Sequence, residues 1–141
     1  MYPEGKEGVK HRRDITERTF AFGVEIILFC ERFGTRAGAR RMIAGQLLRA
    51  GTSVGANVEE AQGAQGRKDF IAKMSIALKE AREARYWLRS TFASKLHTDA
   101  PVPALIQEAT ELCNILGAII VSARRNAGEV CGNKPVPGQP R

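Results

Sequence analysis

The chain is 141 residues with 22 Lys and Arg against 15 Asp and Glu, a formal charge of +7 and a pI near 9.8. A hydrophobic share of 43% is that of a globular chain, long enough to bury a core without staples, and excludes an extended disordered class. The basic balance favours polyanions such as nucleic acid or an acidic surface and is silent about the fold. Three cysteines, Cys30, Cys113 and Cys131, are an odd number without CxxC spacing, so neither a disulfide framework nor a zinc knuckle is indicated. Cys30 and Cys113 stand in apolar runs and read as small core residues, and a reducing, cytoplasmic setting suits all three.

Residues 1–13 are polar and end in Lys10, His11, Arg12 and Arg13, which reads as a flexible basic arm and shows no apolar core of a secretory signal. The longest apolar runs, VEIILF and ILGAIIV, are short for a membrane span, so no membrane is expected. Asp14 and Glu17 in DITE resemble a capping box and predict a first helix over 14–33. Phe22, Ile26, Phe29 and Phe33 form its core stripe. Phe20, Val24, Ile27 and Leu28 widen the apolar surface beyond one stripe, which places the helix in the middle of a bundle or against a second subunit.

Gly34 and Gly38 break the chain before a second helix over 39–62. At 100° per residue, Ile43, Leu47, Ala50, Val54, Val58 and Ala61 share one face, the predicted core. A polar strip, Gln46, Arg49, Ser53, Asn57 and Glu60, runs beside it. It either binds a ligand or supplies hydrogen bonds to the next helix, where Arg82, Arg85 and Tyr86 are available partners. Gly45, Gly51 and Gly55 each cost a helix about 1 kcal/mol against alanine. Close approach of another backbone would offset that cost.

GAQGRKD is a stop and restart, with Gly63 and Gly66 available for a left-handed cap. The third helix, 68–95, carries a broad apolar face from Phe70 through Met74, Ala81 and Leu88 to Phe92. Beside it runs a basic strip of Lys68, Lys79, Arg82 and Arg89 with Ser75 and Tyr86. That strip reads either as a phosphate-binding surface, with Tyr86 and Trp87 as stacking groups, or as a solvated face with pairs such as Lys79–Glu83. Arg40, Arg41 and the arm could add to the former. Ile76 and Trp87 lie outside the main apolar arc and are candidate subunit contacts. A fourth helix, 101–127, opens at HTDAPVPA with Asp99 as N-cap and is lined by Leu105, Leu112, Leu116, Ile119 and Ala123. Residues 129–141 are Pro/Gly-rich and read as a disordered tail.

Four long amphipathic helices without a strand pattern predict an all-α, antiparallel up-down-up-down four-helix bundle spanning 14–128. The chain lacks the Glu and Glu-x-x-His pairs of bundle di-metal sites. Its histidines, His11 and His97, both fall outside core segments, so no metal, no cofactor and no nucleophilic catalysis is expected, and the chain reads as a non-enzyme. Glu80 and Glu83 share a face with Lys79 and Arg82 nearby and read as ion-paired. No helix-turn-helix, RNP or KH signature supports base-specific readout.

The stretch GQLLRAGTSVGANVEEAQGAQGRKDFIAKMSIALKEAREARYWLR, residues 45–89, resembles the bacterial four-helix-bundle family first found in intervening sequences of 23S ribosomal RNA genes. QLLRAGTSVGANVEEA matches its second helix, KDFIAKMSIALKEA its third, followed by the aromatic YWL. The likeness extends over residues 14–125, and the EEAQ ending stands where many relatives have a Glu-Gly pair. Accessory proteins of diversity-generating retroelements look like relatives. The resemblance implies a homo-oligomer with a ring of five as the family's form. It also implies nucleic acid or a reverse transcriptase-type protein as partner in the retroelement branch, and no established activity in the intervening-sequence branch.

Overall fold

The structure, a computed structural model, describes the backbone of residues 7–132 and the side chains of residues 15–126. Four helices follow one another: α1 (Glu7–Phe33), α2 (Ala39–Gln62), α3 (Arg67–Ala93) and α4 (Val102–Gly132). They form an all-α four-helix bundle in which each helix packs along its successor and α1 meets α4 over a shorter stretch. Antiparallel order shows at one end, where Phe29 and Phe33 of α1 meet His97 beyond α3, and Arg40 at the start of α2 reaches Leu96.

The inner helix boundaries lie within two residues of those expected, and the outer ones do not. Helix α1 begins at Glu7 rather than at Asp14, so the backbone of most of the expected arm is helical. Helix α4 continues to Gly132, into the expected tail; residues 1–6 and 133–141, and the side chains of Lys10, His11, Arg12, Arg13 and Cys131, lie outside the described residues. Gly63 and Gly66 do not adopt the left-handed conformation: Gly63 has φ −94° and Gly66 is extended at −173°. Among the described residues the glycine with a positive φ is Gly38, at φ 91° and ψ −147°, where the chain turns into α2.

The core is what helical spacing predicts. Phe22, Ile26, Phe29 and Phe33 are buried from α1, and Leu47, Ala50, Val54, Val58 and Ala61 from α2. Met74, Ala77, Ala81, Ala84 and Leu88 come from α3, and Leu105, Leu112 and Leu116 from α4. Ile43 and Ile119 are half-buried at its edge, and Phe92 is exposed. Alanines on α2 and α3 bring those axes close, which explains why the two helices share the most extensive seam. Two buried hydroxyls, Thr19 and Thr91, are satisfied within their own helices, on Ile15 O (2.8 Å) and Trp87 O (2.8 Å).

Two of the three glycines of α2 are explained by packing. A Cβ on Gly51 would lie 2.7 Å from Ile26 Cγ2, and one on Gly55 would lie 3.0 Å from the backbone oxygen of Thr19. Gly45 faces open space, so the close approach expected for all three is absent there within the subunit.

The stretch Val102–Asn126 of α4 has mean hydropathy 1.5 over a length that could cross a membrane, with 33% buried inside the bundle. Taken singly, the apolar runs conceal this, because Glu108 and Glu111 interrupt them without lowering the mean far. The inward stripe of the same helix forms one wall of the core.

Candidate nucleic-acid interface

Helix α3 carries its charges on two different sides, and its neighbours determine which of them are neutralised. On the side toward α2, Arg49 bridges Glu83 (2.6 Å) and Glu80 (3.4 Å), and Lys73 Nζ donates to Glu60 (2.7 Å). The Arg49 guanidinium holds the Glu83 carboxyl below its ordinary value, and the carboxylates raise Arg49 and Lys73 in return. The polar strip of α2 is therefore in part an interhelical clamp, but its partners are Lys73, Glu80 and Glu83, not Arg82, Arg85 and Tyr86. Ser53 and Asn57 bond back into their own helix, to Arg49 O (2.6 Å) and Ser53 O (2.8 Å), and Gln46 is exposed.

The opposite flank of α3, toward α4, has the contrary character. Burial raises the Cys113 thiol of α4, and Arg85 and Arg82 pull it back, which places both guanidinium groups along this seam. At 100° per residue, Lys68, Lys79 and Arg89 lie on the same flank as Arg82. All four are exposed, and among the described residues none forms an ion pair. Half-buried Arg85 extends the set on α3. The described carboxylates of α4 are engaged away from this seam. Glu108 and Glu111 point to α1, where Arg18 takes Glu108 with two nitrogens (3.0 and 2.8 Å) and Glu111 with one (2.9 Å). Lys79 and Glu83, the expected intrahelical pair, do not meet, because Glu83 is held by Arg49.

Tyr86 stands within the cationic flank, 60% exposed, with its ring edge-on to Trp87 at 5.0 Å. Trp87 is half-buried against the core, and its Nε1 faces Glu83 at 3.4 Å, so Tyr86 is the available stacking surface. Ile76, 41% exposed, sits on the outer side of α3. Arg40 and Arg41 do not join this surface. Arg40 donates to Leu96 O (2.6 Å) and lies 5.3 Å from the Phe33 ring centre, where it pins the end of the bundle. Arg41 lines a shallow groove of about 350 Å³ between α1 and α2, with Ile27, Glu31 and Leu48.

Nothing in the clefts converges on chemistry. The larger of these two clefts, about 880 Å³, has Ile15, Phe70, Met74, Ile115 and Ile119 for walls; its lining includes Arg18, Arg67 and the Ser122 hydroxyl, with no His, Cys, Asp or Glu among the lining residues. Burial pushes the Cys30 thiol up to about 11, which keeps it protonated. The His97 imidazole packs edge-on against Phe29 and Phe33, which stack on each other, and its buried Nε2 has no partner among the described residues. No group of three His, Cys, Asp or Glu among the described residues could hold a metal.

The second unusual surface is apolar. Phe20 (72%), Val24 (38%), Ile27 (47%) and Leu28 (53%) are exposed on α1, on the side away from its core stripe. Residues of this kind normally lie against another surface.

The model of a family described as 23S rRNA-intervening sequence protein matches residues 12–118. A solved structure of similar fold is a protein of unknown function from the S23 ribosomal protein family of Bacteroides thetaiotaomicron. It is 33% identical, with a TM-score of 0.71 over 78% of this chain and 97% of that one. No curated protein matches.

Proposed function

The chain belongs to the 23S rRNA-intervening sequence protein family, and on that premise we propose that it is a non-enzymatic, self-associating bundle that binds the backbone of RNA or DNA. The observation that carries this reading is the segregation of charge. Every described carboxylate that α3 and α4 present in an ion pair faces α2 or α1, which leaves Lys79, Arg82, Arg85 and Arg89 as a row with no ion-pair partner among the described residues. Residues three to four apart on a helix rise about 4.5–6 Å, so the row tracks along a polyanion rather than forming a point site. Tyr86 offers a base a ring to stack on, which favours unpaired nucleotides over duplex. Readout of sequence has no support in the side chains available, so binding is expected to depend little on base order.

The test is affinity against salt. If the four α3 cations neutralise four phosphates, log K falls against log salt with a slope of about −2.8 for single strands and about −3.6 for duplex. That is a loss of roughly 50- to 150-fold between about 50 and 200 mM salt. The double variant Lys79→Ala/Arg82→Ala flattens the slope by about 1.4 to 1.8. Binding that ignores salt, or that survives this variant with its slope intact, removes the reading.

A second reading has an observation of its own: the exposed apolar face of α1 suits a protein partner, for which the bundle would act as a scaffold. Recovery of one protein partner on this face after nuclease treatment, with no direct RNA binding, favours that reading instead.

A further inference from the structure

We propose that the cleft at the end of the bundle where α2 turns into α3 binds a single-chain anionic amphiphile of the long alkyl carboxylate class. The site is separate from the cationic flank of α3 and does not depend on the nucleic-acid reading.

The cleft lies where the side chains run short. Through most of the bundle Leu105, Leu112 and Leu116 of α4 fill the core. Beyond them Ala118, Ser122 and Ala123 line the same space as Ala61 and Ala64 at the end of α2. Small residues on both sides leave about 880 Å³ unfilled, with walls from all four helices. The short contact of α1 with α4 keeps this space open to solvent. Clefts of about 300–1,000 Å³, mostly apolar with a few placed polar groups, are the usual seats of small ligands.

The polarity of the cleft changes along the bundle axis. Met74 of α3 and Ile115 and Ile119 of α4 lie toward the middle of the bundle, and Gln62, Arg67, Ser122 and Asn126 toward its end. At 1.5 Å per residue, Arg67 stands about 10.5 Å from Met74 along α3, and Asn126 about 16.5 Å from Ile115 along α4. A long space that is apolar in its depth and polar at its mouth matches a hydrocarbon chain inward and a polar head outward. The head it suits is an anion, because two guanidinium groups and no Asp or Glu line the cleft. Glu108 and Glu111 already hold Arg18. Arg67 is exposed and forms no ion pair among the described residues, so it is the group available to a carboxylate. Residues 133–141 carry Lys134 and Arg141 and no acidic side chain, so charge argues against the chain's own end as occupant. Walls on four helices admit one chain of methylenes and not the face of a bilayer.

Isothermal titration calorimetry of the full chain with octanoate, decanoate and dodecanoate, each below its micellar concentration, tests this. A single site per chain is expected, with affinity rising about fourfold per added methylene, the equivalent of about 0.8 kcal/mol. Dodecyltrimethylammonium is expected to bind more weakly than dodecanoate. Arg67→Ala should weaken dodecanoate by up to about fivefold, as for an exposed ion pair. Ser122→Trp, which sets an indole into the cleft, should abolish binding; should that variant lose its fold, Ala64→Phe fills the cleft from the opposite wall. Lys79→Ala/Arg82→Ala should leave dodecanoate binding unchanged. Loss of binding in that double variant, with binding intact in both cleft-filling variants, overturns the proposal in favour of anion capture on α3. Affinity that does not rise with chain length, or binding to vesicles of acidic phospholipid without binding to dodecanoate, overturns it as well. Equal binding of dodecanoate and dodecyltrimethylammonium, unchanged by Arg67→Ala, refutes the anionic head.

Discussion

Glycine substitution along α2 separates packing from helix propensity at single-atom scale. Replacing a mid-helix glycine by alanine stabilises an open position by about 1 kcal/mol. At Gly45 a new Cβ meets nothing within 4 Å, so Gly45→Ala should realise that gain. At Gly55 the Cβ would stand 3.0 Å from Thr19 O, 3.1 Å from Thr19 C and 3.3 Å from Phe20 N, all backbone atoms of α1. A backbone cannot rotate aside as a side chain can, so α1 must shift by a few tenths of an ångström across its tightest seam. Overpacking of this kind costs about 1–3 kcal/mol, which outweighs the propensity gain. Gly55→Ala is therefore expected to lose about 1 kcal/mol net, and the two variants to differ by about 2 kcal/mol. Urea unfolding followed by circular dichroism at fixed protein concentration gives the difference as a midpoint shift with unchanged slope. If Gly55→Ala proves as stabilising as Gly45→Ala, the α1–α2 contact at Thr19 is not as close as described.

Three further outcomes follow from the geometry. Glu83 is held below its ordinary value by Arg49, so its stabilisation is present above the unfolded glutamate value and is lost as pH falls through the depressed folded one. A urea midpoint measured between about pH 6 and 3 should decline less for Glu83→Gln than for wild type, and parallel curves would refute the clamp. Burial raises the Cys30 thiol from 9.0 to about 11, so the folded state holds its proton more tightly and stability declines as pH rises from about 9 towards that value. Native protein at pH 8 should leave Cys30 unalkylated by iodoacetamide while urea-unfolded protein reacts, as read by peptide mass; equal rates in both states would contradict the burial. Leu88, fully buried on α3, should cost about 2–5 kcal/mol on truncation to alanine, and a loss under about 1 kcal/mol in thermal or urea unfolding would place it outside the core.

Much of this molecule is local and therefore legible one residue at a time. Helical spacing alone identifies Phe22, Ile26, Phe29 and Phe33, and likewise Leu47 through Ala61, because burial on a helix follows its period. The basic strip of α3 is legible for the same reason. Helix ends are less so: the first turn of α1 and the last of α4 run through Gly-containing polar sequence that reads as arm and tail.

What one chain segment opposes to another is a different matter. The polar residues of α2 are visible in the sequence, but Glu80, Glu83 and Lys73 become their partners only when the bundle turns that side of α3 toward α2. The same rotation directs Arg82 and Arg85 to α4, along a seam whose described acids Arg18 holds elsewhere. Composition determined that this chain carries excess positive charge. Which cations remain without a counter-charge was decided by tertiary structure, because ion pairing acts through distances between helices that no spacing within a single helix specifies.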